Sequence, residues 1–491
     1  MKAISTSSPT RANNLNRLAI ILWSSAVAVG MSAGLVAADA KAFRAGAARS
    51  DITPPLGQKI VGGFHPFPAT HIHDELWAKC LVLDDGKTRL GIVVCDNLGM
   101  VRGVFDEAAR WVEAETGLPR SHLMMSATHS HSAGSALGSD RYQLDAGLDD
   151  YQKFIARRIA DGVRRAISNL RPAQIGWGRG EEPDQVFNRR WFMKPGTVPV
   201  NPFGSARDKV KMNPGRMNPN LVKPAGPTDP EIMLLAVRGK DGKMISLLAN
   251  YSLHYVGGVP RGHVSADYYG IFCDRLADLL NADKQEPPFV AMLSNGTSGD
   301  INNINFMKRG ERMPSYQQMN IVAADVAQAA AAALKSVKYR DSVTLGAAFR
   351  ELQVGLRKPT PDRITRARAL IAGIKNPERK SIEEIYAERT MSMAGLPKTL
   401  AAPIQAFRVG DVGIAAIPNE VLVEIGLELK RRSPFKASFT HSIANGYYGY
   451  LPTPEQHALG GYETWLGTCW FEESSSTKIV EALLQMWNGL K

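Results

Sequence analysis

Ser126-Ala127-Thr128-His129-Ser130-His131-Ser132 follows the apolar run Leu123-Met124-Met125 and leads into Ala133-Gly134-Ser135. The apolar run reads as the end of a buried strand, and the small residues after it as a loop. Two histidines at i and i+2 point to one side of an extended chain. At the exit of a strand that places two imidazoles over the edge of a sheet, where a site can open. Imidazole is the commonest neutral ligand of zinc and similar metals. A His-x-His pair is also a common surface feature, so a metal reading needs further ligands from elsewhere in the chain.

Working outward, strands and helices alternate. Phe43 to Pro55 reads as a strand ended by a double proline, followed by the glycine turn Val61-Gly62-Gly63-Phe64. Leu76–Leu83 and Leu90–Cys95 flank Asp84-Asp85-Gly86-Lys87, a hairpin signal. Phe105–Thr116 reads as a helix ended by Gly117 and Pro119, and Tyr151–Leu170 as an amphipathic helix with Phe154, Ile155, Ile159, Val163 and Ile167 on one stripe. Residues 180–228, rich in Asn, Pro, Gly and Arg, read as a long functional loop region. A second hairpin is expected around Gly239-Lys240-Asp241-Gly242 and a third around Gly410-Asp411. Helices are expected at Tyr268–Leu280, at Tyr316–Leu334, after Glu420 and from Ser475, with a buried strand at Phe289–Leu293. Length alone admits roughly two to four domains. With no repeat and no linker, the pattern points instead to one large α/β domain, residues 41–491, of mixed sheets with flanking helices.

Composition narrows the class. Hydrophobic content of 44% and charged content of 22% are ordinary for a globular protein. The formal net charge is +12, but Lys and Arg are spread along the chain. That argues against nucleic-acid binding and leaves a weak attraction to an anionic membrane surface. Lys2, Arg11 and Arg17 precede an apolar run from Leu18 to Val36, and Ala38-Asp39-Ala40 has the form of a cleavage site. Residues 1–40 therefore read as a signal peptide, and the protein as exported, periplasmic or extracellular. Four cysteines make no disulfide scaffold; Cys80 and Cys95 lie in adjacent strands and could pair or equally stay buried free thiols.

Four polar residues share one kind of place, the end of an apolar strand: His129, His254 after Leu247–Ala249, Asp300 after Phe289–Leu293, and Glu420 after Ile414–Ile417. Functional residues of α/β proteins gather there because the sheet fixes their spacing while loops leave room for a ligand. Two histidines and a glutamate make a catalytic zinc set with a position left for water or substrate. Asp300 and Asp267 read as loop anchors. His71 and His73 precede a strand instead of following one, and read as loop residues near the site entrance.

At this point the sequence resembles the neutral, non-lysosomal ceramidase family. The resemblance rests on Ala45 to Pro55, Ser126 to Ser132, Asn188-Arg189, Asn250 to His254, Ser265 to Tyr268, Asn295 to Asn302, and Gly449-Tyr450 through Gly461-Tyr462-Glu463, in family order from about residue 43 to 470. It implies a mixed α/β catalytic domain with a single Zn2+ that cleaves the amide bond of ceramide. It implies His129, His254, Glu420 and Tyr450 as metal ligands, and His131, Arg189 and Tyr462 as groups that orient the carbonyl and shuttle protons. Two departures stand out. Asn302 occupies the place of a family serine; asparagine is no equivalent nucleophile, but its amide can donate to an oxyanion. The family's C-terminal immunoglobulin-like domain is expected to be absent.

The expected chemistry is hydrolysis of an N-acyl bond, of ceramide or a related lipid-like substrate, by metal-activated water. Two alternatives stay open: a metal-dependent hydrolase of another ester or phosphoester, and a non-catalytic binding protein on the same fold.

Overall fold

Eight strands form the central sheet of the computed structural model, which describes residues 42–491. In chain order they are β1 (Arg44–Asp51), β2 (Trp77–Asp84), β3 (Arg89–Cys95), β4 (Leu123–Ala127), β5 (Arg171–Glu181), β6 (Glu231–Gly239), β7 (Met244–Tyr251) and β8 (Val290–Asn295). Their order across the sheet is β8-β7-β6-β5-β1-β2-β3-β4. The two outermost pairings, β7 with β8 and β3 with β4, are parallel; the others are antiparallel. The expected signal peptide, residues 1–40, lies outside the described residues.

The near-continuous apolar runs arise because both faces of the sheet are covered. In β2, Ala78, Cys80 and Val82 pack with Val104 and Ile155 from helices Arg102–Thr116 and Asp150–Ser168. Leu81 and Leu83 point the other way, against Phe407, Ile414 and Phe439 of a second, four-stranded sheet. Helices Asp267–Leu279 and Gln317–Leu334 cover the β6–β8 end through Phe272, Leu276, Val322 and Val326. The second sheet runs Leu345–Gly355, Thr399–Val409, Val412–Ala416, Ala437–His441. Its far face holds Ile425 and Leu429 of one helix and Ile479, Leu483 and Trp487 of the last. The result is four layers, helices, sheet, sheet, helices, the mixed α/β architecture expected. None of the described helices is long and apolar enough to cross a membrane.

Two expectations are corrected, and the open question of Cys80 and Cys95 is answered. Residues 180–228 are not one loop: Arg190–Met193 is flanked by Val210–Met212 and Leu221–Pro224 in a small sheet, and Phe187–Asn188 pairs with Ile301–Asn302. Strands this short carry no readable period. Cys80 and Cys95 stay buried free thiols, because Cys80 faces Val93 and Cys95 faces Ala78 in the ladder. His71 is not a loop residue: His71-Ile72 pairs with His263-Val264, and neither His71 nor His73 lines the cavity described below.

Candidate active site

The ends of both sheets are stitched together by one crossing segment, Ser442–Asn445. Ala127 N donates to Ile443 O (3.1 Å) and Asn445 N to Met125 O (2.9 Å), which ties the segment to β4. Ser442 N donates to Asn295 O at the end of β8, and Ile443 N to Asn419 O just before Glu420, both at 3.0 Å. The strand ends carrying His129, the Asn295–Asp300 loop and Glu420 are thereby held at one point. Gly299 makes this possible, since a Cβ there would lie 2.8 Å from Glu420 O. Gly62 does the same on the other side, where a Cβ would meet His131 O at 2.2 Å.

His129 turns out of β4 with φ of 72°, and its N–H donates to Asn97 O at 2.9 Å. Its Nδ1 lies 2.7 Å from Leu98 O, and His254 Nδ1 lies 3.1 Å from Ser298 O. Carbonyls only accept, so both Nδ1 atoms carry a proton, which in a neutral ring leaves the lone pair on Nε2. Those Nε2 atoms face Glu420 Oε2, at 3.1 Å from His129 and 3.7 Å from His254. His131 Nε2 lies 3.1 Å from His129 Nε2, and its ring stacks on Tyr255 with centroids 3.6 Å apart. The three histidines bring one ring nitrogen each within 4.8 Å of one another. His131, which the resemblance makes a group that orients the carbonyl and shuttles protons, thus also stands among the potential ligands.

A metal fits these residues. His254 Nε2 and Glu420 Oε2 are buried and have no hydrogen-bond partner among the described residues. Acceptors converging without a donor call for a cation, and imidazole with carboxylate suits zinc or a similar ion. Burial pushes His131 and His254 well below the ordinary histidine range, helped by neighbouring His129 and, for His254, Arg189. Burial opposes ionisation of Glu420, yet His129, His254 and Tyr447 outweigh it and hold the carboxyl well below its usual range.

The remaining expected residues divide. Glu420 pairs in register with Tyr450 in a short parallel bridge. Arg189 Nη2 donates to Tyr450 Oη at 2.9 Å, and Arg189 Nε to Glu463 Oε1 at 3.1 Å. Tyr462 packs edge-on against Tyr450, ring centroids 5.7 Å apart. All of these except Glu463 line one cavity of about 460 Å³ with His129, His131 and His254. Asn302 does not reach it: its amide donates to Asn213 Oδ1 at 2.7 Å, and Asn213 is the wall residue. Asn302 is therefore not placed to donate to an oxyanion in this cavity. Asp300 is the anchor it was read to be, accepting from Val423 N at 2.9 Å and Asn188 Nδ2 at 2.8 Å. Sequence reasoning missed Tyr447, whose hydroxyl donates to Glu420 Oε1 at 2.5 Å, and Glu463, which also holds Arg190 at 2.6 Å. Tyr447 precedes Tyr450 by three residues in the same aromatic run, a signal that was available; the pairing of Glu463 had none.

Comparison with known proteins places the chain in a family. Residues 43–312 match the model of the neutral/alkaline non-lysosomal ceramidase N-terminal domain. The chain is similar to the neutral ceramidase of Pseudomonas aeruginosa, 21% identical over 87% of this chain and 69% of that protein. The crystal structure of neutral ceramidase from Pseudomonas aeruginosa superposes with a TM-score of 0.66 at 18% identity, over 91% of this chain and 74% of that one. A ceramidase complexed with C2 gives 0.68 at 17% identity, over 91% and 75%. The chain belongs to the neutral/alkaline non-lysosomal ceramidase family, a family of amide hydrolases.

Proposed function

We propose that this protein is a zinc-dependent hydrolase that cleaves the amide bond of ceramide or a related N-acyl substrate. The observation that carries the reading is the convergence of His129 Nε2, His254 Nε2 and Glu420 Oε2 on the wall of the Arg189–Tyr462 cavity. These three residues, with Tyr450 beside Glu420, would hold the metal. When bound, zinc supplies a Lewis acid that polarises a carbonyl and acidifies water.

The chain's own groups do the rest. Leu98 O and Ser298 O fix the rings of His129 and His254, and Tyr447 fixes Glu420. Arg189 and Tyr462 offer donors to the carbonyl oxygen as charge develops on it; losing one such donor typically costs about 2.7–4 kcal/mol of barrier. Burial raises the pKa of Tyr462, which keeps its hydroxyl a donor. His131 is held neutral by burial, and its Nδ1 has no partner among the described residues. It can take a proton there and return it to the leaving amine.

The test is metal analysis with hydrolysis of a fluorescent short-chain ceramide, on wild type and His129→Ala. One zinc per chain with cleavage that the variant loses is the expected result. Zinc without ceramide cleavage would move the search to other amides and esters, phosphoesters included. No metal after reconstitution would leave a binding protein on a hydrolase fold. Export through residues 1–40 belongs to the same proposal; recovery of the protein only from the cytoplasm, still beginning at Met1, would overturn it.

A further inference from the structure

The cavity wall holds two arginines that the amide chemistry does not use. Arg141 donates to Tyr142 Oη and Gly467 O, both at 3.3 Å, and to Tyr447 Oη at 3.5 Å. Its guanidinium lies over the rings of Tyr142 and Tyr447, at 5.3 and 5.5 Å from their centroids. Arg389 lies over Tyr386 at 4.8 Å and Phe64 at 5.4 Å. Gly467 stands between them: a Cβ there would be 2.8 Å from Arg389 Cβ and 3.3 Å from Tyr142 Oη. Both side chains are half-buried and line the cavity of the histidines.

Their partners are all neutral. Among the described residues no carboxylate oxygen lies within 4.0 Å of either guanidinium. Arg189, by contrast, is paired with Glu463. The acids on the cavity wall are Glu420, which faces the histidines, and Asp140, whose Oδ1 accepts from Tyr142 N at 2.9 Å. Aromatic faces and neutral oxygens keep a guanidinium in place while leaving its charge uncompensated. A cavity built only for a neutral amide has no use for two such cations. Both arginines line the same cavity as Arg189 and Tyr462, which places them beside the chemistry.

We propose that the substrate carries an anionic oxygen group, a carboxylate or a phosphate, on the part that lies against Arg141 and Arg389. Guanidinium matches both groups with paired hydrogen bonds, and hydrogen bonds to charged groups are the strong ones. The inference takes the scissile amide from the hydrolase reading above; the charge preference rests on the arginines alone.

Three probes of one acyl length separate the possibilities: N-octanoylethanolamine, its phosphate monoester, and N-octanoylglycine. Binding to the zinc-loaded protein is measured by calorimetry, and kcat/KM by amine release. Wild type is expected to bind at least one anionic probe tenfold or more tighter than the neutral one. Arg389→Gln and Arg141→Gln are each expected to cut that anionic-to-neutral ratio about tenfold. The preferred probe tells carboxylate from phosphate. Equal binding of all three by wild type, which needs no variant to fold, would overturn the proposal. A preference that neither substitution alters would overturn it too. If neither these amides nor short-chain ceramide is cleaved, the amide-hydrolase reading fails, and the calorimetry still decides the anion site.

Discussion

Tyr447 Oη lies 2.5 Å from Glu420 Oε1, while the other oxygen of that carboxylate faces His129 Nε2 at 3.1 Å. The tyrosine thus fixes which oxygen is free to meet a metal. The two residues are 27 positions apart, and nothing local in the chain announces the contact.

Tyr447→Phe keeps the ring and removes the donor. Outer hydrogen-bond partners of metal ligands typically carry 10–100-fold in affinity. Zinc titration against a chelator should show a loss in that range. Unchanged affinity would mean that the bond does not orient the ligand.

His131 and His254 should separate. His254→Ala is expected to abolish stoichiometric zinc. His131→Ala is expected to retain zinc while amide hydrolysis falls about 10²–10⁴-fold, the usual worth of a proton-transfer group. Elemental analysis beside a rate assay reads both, and loss of zinc from His131→Ala would make it a ligand.

Glu463 is fully buried between Arg189 and Arg190. Glu463→Gln leaves two buried guanidinium groups without their counter-charge. Breaking one side of a buried pair costs about 3–5 kcal/mol. Urea unfolding should register a loss of that size together with lower activity, since Arg189 loses its tether. A loss under about 1 kcal/mol would show that solvent reaches the pair.

Asp267 accepts from Val256 N, Gly257 N and Tyr268 N at 2.7–3.0 Å, yet burial pushes its pKa from 3.8 up to about 6. A carboxyl whose pKa rises on folding favours the folded state while protonated. That stability is complete below 3.8 and is lost as pH rises through about 6. A shift of this size is worth on the order of 3 kcal/mol. Asp267→Asn keeps the Oδ1 acceptor and cannot ionise. Its unfolding free energy should fall less steeply than that of wild type between pH 4 and 6. Asp300, also raised to about 6 by burial, contributes a slope of the same sign in both proteins. Identical slopes in both proteins would sink the assignment.

The sequence by itself determined the elements of this protein and the place of the first residues of its candidate site. Strands such as β2 and β3 and helices such as Asp150–Ser168 are written in local periodicity and turn chemistry, which depend on neighbours a few residues away. His129 and His131 were legible for the same reason, as were His254 and Glu420 at the ends of apolar runs. Tertiary structure alone decided what converges. The strap Ser442–Asn445 joins β4 and β8 across more than a hundred residues, and its hydrogen bonds help bring Glu420 to His129. Tyr447 and Glu463 acquire their roles from that closure. Asn302 loses its expected role the same way, because the strand Ile301–Asn302 turns its amide toward Asn213 instead of the cavity. Long-range pairing of short strands leaves no period in the sequence, so the partners of a site lying on them emerge only once the sheets are packed.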